Sequence, residues 1–329
     1  MDELITLDYG SGGKKTSRLI ENMILPAMDC PELNELGDGA ILGDIVFSTD
    51  SFVVDPIFFP GGDIGKLSVC GTVNDVSMCG AVPEYLSCAY IIEEGFSTGD
   101  LEKIIASMSG TARKAGVRIV TGDTKVVEKG RGDKIYINTA GIGHLKYRGL
   151  SPSAIKDGDA VIVSGTVGDH GTAVMLARSG MMHGELKSDC APLNGLCQTI
   201  LASSDKIRVL RDPTRGGVAT TLNEFTEGSS YSVELNEDAI PVNGKVSAAC
   251  DMLGLDPLYC ANEGKLLCVV ASEDAEKVLQ AMKNNEYGAN AAVIGRVTTN
   301  YPGKVVIHTR AGGSRILQKL AGAQLPRIC

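Results

Sequence analysis

Short β-branched runs and amphipathic stretches alternate along the whole chain, and this alternation excludes most architectures. Residues 98–116, TGDLEKIIASMSGTARKAG, predict an amphipathic helix capped by Thr98 and closed by Gly116. Residues 63–81 predict another helix, ended by Gly80 and Pro83. Residues 15–24 place Leu19, Ile20, Met23 and Ile24 on one helical face. Between such stretches lie strand signals, rich in Val, Ile and aromatic residues: DIVFSTDSFVV (44–54), EYLSCAYII (84–92), VRIVTGDTKVV (117–127) and KIYINTAGIGHL (134–145). The pattern resumes with AVIVSG (160–165), helix TAVMLARSG (172–180), helix GVATTLNEFTE (217–227), strand KLLCVVA (265–271), helix DAEKVLQAMKNN (274–285) and strand AAVIGRVT (291–298). Both halves therefore read as α/β or α+β.

A composition break at KYRGLSPSAIKDGD, residues 146–159, marks the expected domain boundary. The predicted organisation is an N-terminal domain over 1–150, a C-terminal α/β domain over 151–321, and a flexible tail over 322–329. A chain of 329 residues suits two domains of ordinary size.

With 43% hydrophobic and 22% charged residues, each domain can bury a core. No apolar run reaches the ~18 residues of a membrane span. The stretch MDELITLDYG carries acids where a secretory signal carries Lys or Arg, so a cytoplasmic protein is expected. Net charge is −9 and no Lys/Arg run occurs. A duplex-binding surface needs cations to displace counterions from phosphate, which argues against nucleic acid as a partner.

The ten cysteines contain no C-x-x-C pair, which removes the common zinc and thioredoxin-like signatures. Cys70, Cys79, Cys88 and Cys268 lie in apolar stretches and read as small buried hydrophobes. Cys329, in AQLPRIC, stands apart. It is either an accident of a tolerant terminus or a thiol carried on a short mobile arm. Pro326 would stiffen one step of that arm, and Gly322 and Ala323 would leave its root loose. A prenylation box would place its Cys four residues from the end, and none is there.

GSGGKKTS (10–17) fails the Walker spacing, because Lys15 stands where a second Gly is required. The run is either a flexible segment or an anion cradle in which exposed backbone N–H groups and Lys14 meet phosphate. Asp38 in GDGA, Asp50 in STDS, Asp75 in NDVSMCGA, Asp123 in TGDTK and Asp212 in DPTRGG all adjoin small or turn residues. Singly each reads as a cap or turn residue. Together they suggest hard oxygen ligands at element ends, with Mg²⁺ bridging carboxylates to phosphate. Arg215 could pair with phosphate or carboxylate through its planar fork, or with a helix start. His170 in GDHG reads as a loop residue rather than a metal ligand, because nothing at ligand spacing joins it.

GSGGKKTS, GDGA, STDS, NDVSMCGA, TGDTKVV, VSGTVGDHG, DPTRGG, NEGKLL and PRIC occur in an order that resembles the HypE family of hydrogenase maturation carbamoyl dehydratases. That family lies within the aminoimidazole ribonucleotide synthetase-like superfamily, with selenophosphate synthetase as a relative. NDVSMCGA and DPTRGG are superfamily signals, and PRIC is specific to the family.

The resemblance implies two α/β domains, a homodimer formed through the N-terminal domains, and ATP with Mg²⁺ under the Gly-rich segment. It makes Cys329 a carrier. The carbamoyltransferase HypF would load it, ATP-driven dehydration would give a thiocyanate, and a HypC–HypD iron scaffold would accept the cyanide for [NiFe]-hydrogenase. Asp38, Asp50, Asp75 and Asp212 are then expected to bind metal. Gly10, Ser11, Gly12, Gly13 and Lys14 are expected to bind phosphate, with Asp123 at the nucleotide or metal site. Glu263 is expected to accept a proton, and Lys125 to orient or tune it. Two rival readings are a superfamily ATPase acting on a free small molecule and a nucleotide-sensing scaffold without chemistry.

Overall fold

The computed structural model describes residues 4–180, 186–322 and 327–329. Its first sheet has five strands in the spatial order Ala40–Leu42, Ile45–Phe52, Ile135–Leu145, Ala81–Glu93, Arg118–Val127. All pairings are antiparallel except that of Ala81–Glu93 with Arg118–Val127. That parallel pair needs a crossover, and helix Thr98–Ala115 supplies it.

One face of this sheet is covered by helices Ile64–Met78 and Thr98–Ala115. Val46, Phe52, Leu86 and Ile137 point into that core, where Ile64, Leu67, Val73, Ile104 and Met108 meet them. Among the described residues the other face is open. Phe47, Ile91, Val120, Val126 and Ile142 are apolar and 40 to 67% exposed there or along the edge.

Helix Ile64–Met78 is held at its start by Asp63, whose Oδ1 accepts from Gly65 N at 2.7 Å and Lys66 N at 3.0 Å. Helix Thr98–Ala115 is capped by Ser97, one residue before the expected Thr98. Ser97 Oγ accepts from Asp100 N at 3.3 Å, and Gly116 closes the helix with φ +72° as expected. The N-terminal helix runs Lys14–Leu19 and widens into a π-type turn at Ile20–Ile24. Its apolar stripe does not enter the core of this chain, since Met23 is 65% exposed.

The second sheet has seven strands in the order Ser314–Leu317, Val305–His308, Ser232–Asn236, Ala292–Thr298, Ala160–Val163, Leu267–Val270, Ile207–Arg211. Both faces of its centre are buried, which explains strands apolar at every position. Val161, Val163, Leu267 and Val269 face helix Gly217–Thr226. Ala160, Ile162, Cys268 and Val270 face helices Asn194–Ser203 and Ala275–Lys283. Cys70, Cys88 and Cys268 are buried as expected, and Cys79 is partly exposed.

Loops from both sheets meet along one seam. Asn74 of helix Ile64–Met78 donates to Ala191 O at 3.1 Å and accepts from Leu193 N at 2.7 Å. Buried Asn262 accepts from Gly168 N at 2.7 Å and donates to Pro213 O at 3.0 Å. Asn262 fixes GDHG, DPTRGG and NEGK against one another, Asn74 ties NDVS to residues 191–193, and Ala191 N donates to Glu263 O at 3.2 Å to join the two sets.

Candidate active site

The loop before strand Ala40–Leu42, helix Ile64–Met78 and the loop after strand Ile207–Arg211 bring three aspartates together. One carboxylate oxygen each from Asp38, Asp75 and Asp212 lies within 4.8 Å of the other two. Ser48 Oγ donates to Asp75 Oδ2 at 2.9 Å and lies 2.8 Å from Asp38 O, fixing two arms of the cluster. Arg211 Nη1 lies 2.7 Å from Asp38 Oδ1. Burial pushes the carboxyl of Asp75 well above its usual range, and Asp212 and Asp38 add to the rise. Burial does the same for Asp212, with Asp38 again adding. Three crowded hard-oxygen donors that resist ionising together fit a divalent cation such as Mg²⁺.

Asp50, expected as a fourth member, stands outside this group. It lies two residues along the strand from Ser48, which is about 7 Å of rise. Its carboxyl is pushed up by burial and drawn back by Arg215.

The final residues dock against the seam. Cys329 is half-buried and opens on a cavity of about 170 Å³ lined by Gly10, Ser11, Ser51, Arg215 and Tyr259. Burial pushes its thiol up, Arg215 opposes that shift, and Glu263, Asp50 and Asp75 reinforce it. Glu263 is 2% exposed and its Oε1 has no hydrogen-bond partner among the described residues. Its backbone N–H donates to Asp189 Oδ1 at 3.1 Å. Burial, followed by Cys190 and Asp212, lifts its carboxyl well above the usual range. A buried carboxyl left unsatisfied near a docked thiol is a candidate for proton transfer. The tail expected to be flexible over 322–329 is instead docked on the body of the chain at residues 327–329, and Ala323 and Pro326 lie outside the described residues.

The Gly-rich run packs onto DPTRGG. Gly12 has φ +74°, and a Cβ there would meet Arg215 Cβ at 3.0 Å; one on Gly13 would meet Leu320 O at 2.3 Å. Arg215 Nη1 donates to Gly10 O at 3.2 Å, and Lys14 N to Leu320 O at 3.0 Å. The Lys14 side chain is exposed. Beyond it a cleft of about 810 Å³ runs past Ser17, Ile20, Arg211, Glu224 and Lys319.

Asp123 and Lys125 are not brought to this seam. They lie on one face of edge strand Arg118–Val127 and pair with each other, Nζ to Oδ2 at 2.6 Å, with side chains 60% and 67% exposed. The expected contact of Lys125 with Glu263 therefore does not form within the chain. Three residues that sequence reasoning passed over take part in the site: Ser48, Arg211 and Asp189. Arg211 abuts Asp212 in sequence, and that adjacency was the only local signal.

Residues 37–145 match the N-terminal domain of AIR synthase related proteins, and residues 156–308 match the C-terminal domain. The chain is 47% identical to carbamoyl dehydratase HypE of Cupriavidus necator, over 99% of this chain and 95% of that protein. A chain in a crystal structure of a HypE–HypF complex superposes with a TM-score of 0.88 at 50% identity, covering 92% of this chain and 99% of that one. A structure of HypE in complex with ATP gives a TM-score of 0.84 at 48% identity, covering 99% and 100%.

Proposed function

The chain belongs to the HypE carbamoyl dehydratase family of AIR synthase related proteins, and from that premise we propose that it dehydrates an S-carbamoyl group on Cys329 at the expense of ATP. The observation that carries this reading is the thiol of Cys329 docked between the orphaned carboxyl of Glu263 and the Gly-rich run beside Arg215.

In the proposed reaction the carbamoyl oxygen attacks the γ-phosphorus of ATP, and ADP leaves. The O-phosphorylated intermediate then loses phosphate as the nitrogen gives up its protons, leaving S–C≡N on Cys329. Carbamoyl oxygen departs in the phosphate, so the loss of water is balanced. Phosphorylation is required because oxide alone is a poor leaving group.

Asp38, Asp75 and Asp212 would hold Mg²⁺, with Asp50 alongside. When bound, the ion offsets phosphate charge. Gly10, Ser11, Gly12, Gly13 and Lys14 would meet phosphate, led by the exposed Lys14 ammonium, because the backbone N–H groups of Ser11, Gly12, Gly13 and Lys14 are donated within the chain to Asp8 O, Thr16 Oγ1, Ser11 Oγ and Leu320 O. The cleft past Ser17 and Ile20 has a volume suited to a nucleotide. Glu263 takes a proton from the carbamoyl nitrogen, in keeping with its raised affinity for one.

A second copy covers the apolar face of the five-stranded sheet. Asp123 and Lys125 serve a site completed across that contact, with Lys125 tuning the proton acceptor. HypF loads the carbamoyl group, a HypC–HypD iron complex accepts the cyanide, and the work is done in the cytoplasm. Among the described residues no helix is long and apolar enough to cross a membrane.

The test is intact mass after incubation with carbamoyl phosphate, ATP and the partner transferase. The C-terminal peptide gains a carbamoyl group and then loses one water. A Cys329→Ala protein that carries the adduct as wild type does would end the carrier reading, and so would turnover that survives deletion of residues 326–329.

A further inference from the structure

Each backbone carbonyl of the last three residues is taken by the body of the protein. Arg327 O accepts from Asp55 N at 3.2 Å and from Arg178 Nη2 at 2.9 Å. Ile328 O lies 2.8 Å from His170 Nε2, and Cys329 O accepts from Val53 N at 3.0 Å. The Ile328 side chain is 3% exposed, in the core with Phe52 and Val54. Arg327 donates through Nε to Val53 O at 2.9 Å and pairs with Asp133. Carbonyl contacts are indifferent to side-chain identity. What they fix is register, and so how deep the thiol sits.

The His170 ring is fully buried and its hydrogen bonds define its tautomer. A carbonyl can only accept, so Nε2 carries the hydrogen. Burial disfavours the charged ring. Nδ1 is then an acceptor, and Ser188 Oγ donates to it at 2.8 Å. Ser188 Oγ in turn accepts from Cys190 N at 3.0 Å. The donors run in one direction from Cys190 through Ser188 and His170 to the tail. The adjacent residue, Asp189, holds the backbone of Glu263. One short stretch, 188–190, thus places both the tail and the proton acceptor.

We propose that His170, oriented by Ser188, is a positioning residue that locks the thiol-bearing tail in register against Glu263, with Arg178 as a second clamp on the same strand of backbone. The proposal rests on the dehydratase reading, but its first measurement does not.

That measurement is the alkylation rate of Cys329 by iodoacetamide in the full chain, read on the C-terminal peptide by mass spectrometry. His170→Phe fills the pocket without an N–H donor, and His170→Gln retains one. Loss of one net hydrogen bond predicts alkylation about three- to tenfold faster in His170→Phe, and a rate near wild type in His170→Gln. ATP-driven dehydration of protein carbamoylated beforehand should slow by a similar factor in His170→Phe and recover in His170→Gln. Arg178→Lys gives an independent variant, with faster alkylation again expected, should His170→Phe unfold. Alkylation at the wild-type rate in folded His170→Phe, or in Arg178→Lys where His170→Phe unfolds, overturns the proposal. So does faster alkylation with unchanged dehydration. If wild type alkylates slowly yet never dehydrates, the dehydratase reading fails while the alkylation comparison still decides the latch.

Discussion

Arg211 Nη1 sits 2.7 Å from Asp38 Oδ1, so one of the three clustered carboxylates is paired before any cation arrives. The side chains are 14% and 13% exposed. The guanidinium offsets part of the charge that would otherwise keep Asp38, Asp75 and Asp212 apart. It also leaves the cluster net acidic, so a divalent ion still has work to do there.

Magnesium should therefore stabilise the chain measurably. At a hundredfold excess over its Kd, a ligand that binds only the folded state contributes about 2.7 kcal/mol. The melting temperature of wild type should rise by several degrees with Mg²⁺, and that of Asp212→Asn should not. An equal rise in both would exclude these carboxylates as the site.

Removing Arg211 should be costly for a related reason. Breaking a buried pair by deleting one partner costs about 3–5 kcal/mol, because the other charge is left uncompensated. Arg211→Met should melt well below wild type, and Mg²⁺ should recover more stability in it than in wild type. Denaturant melts with and without the ion measure both quantities.

Glu263 makes stability fall as pH rises. Its ordinary value is 4.5, and burial raises it in the folded chain. Below 4.5 both states are protonated and nothing is lost. Above that, the unfolded chain ionises first, and the folded state is penalised increasingly up to its raised value. Glu263→Gln removes the penalty, so its stability gain over wild type should be near zero around pH 4.5 and should grow towards neutral pH. The same variant should stall as the carbamoyl form in the presence of ATP. A gain independent of pH would assign the shift elsewhere.

Lys125 separates stability from chemistry. Its side chain is 67% exposed and paired only with Asp123 among the described residues, so Lys125→Ala should change stability by no more than about 0.5 kcal/mol. If a second copy brings it to the proton acceptor, dehydration should fall by about a hundredfold or more. A variant with full activity would return Lys125 to the role of a strand-edge ion pair.

The open sheet face predicts an assembly. Val120, 56% exposed, and Phe47, 40% exposed, belong to an apolar surface that nothing among the described residues covers. Wild type should sediment as a dimer, and Val120→Glu or Phe47→Asp as a folded monomer. Unchanged sedimentation of both variants would place the contact on another surface.

The sequence by itself determined many of the elements, but not helices Asn194–Ser203 and Gly244–Leu253 or strands Ile207–Arg211, Ser232–Asn236 and Val305–His308. Helix Thr98–Ala115 could be read because Ile104, Met108, Thr111 and Ala115 recur at helical spacing. The central strands of the second sheet could be read because both their faces are apolar. Motif order identified the family, and through that resemblance pointed to Cys329 and Glu263 as candidates. These are local properties, carried by a few consecutive residues. Only the tertiary structure decided which of the aspartates meet. Asp38, Asp75 and Asp212 are far apart in the chain, and Asp50 lies outside their 4.8 Å group while its charge still raises the carboxyls of Asp75 and Asp212. His170 looked like a loop residue because its partners, Ser188 and Ile328, lie 18 and 158 positions away. Lys125 looked like a neighbour of Glu263 but lies on an edge strand facing outward. A hydrogen bond forms where the folded backbone sets donor against acceptor, and spacing along the chain does not fix that meeting.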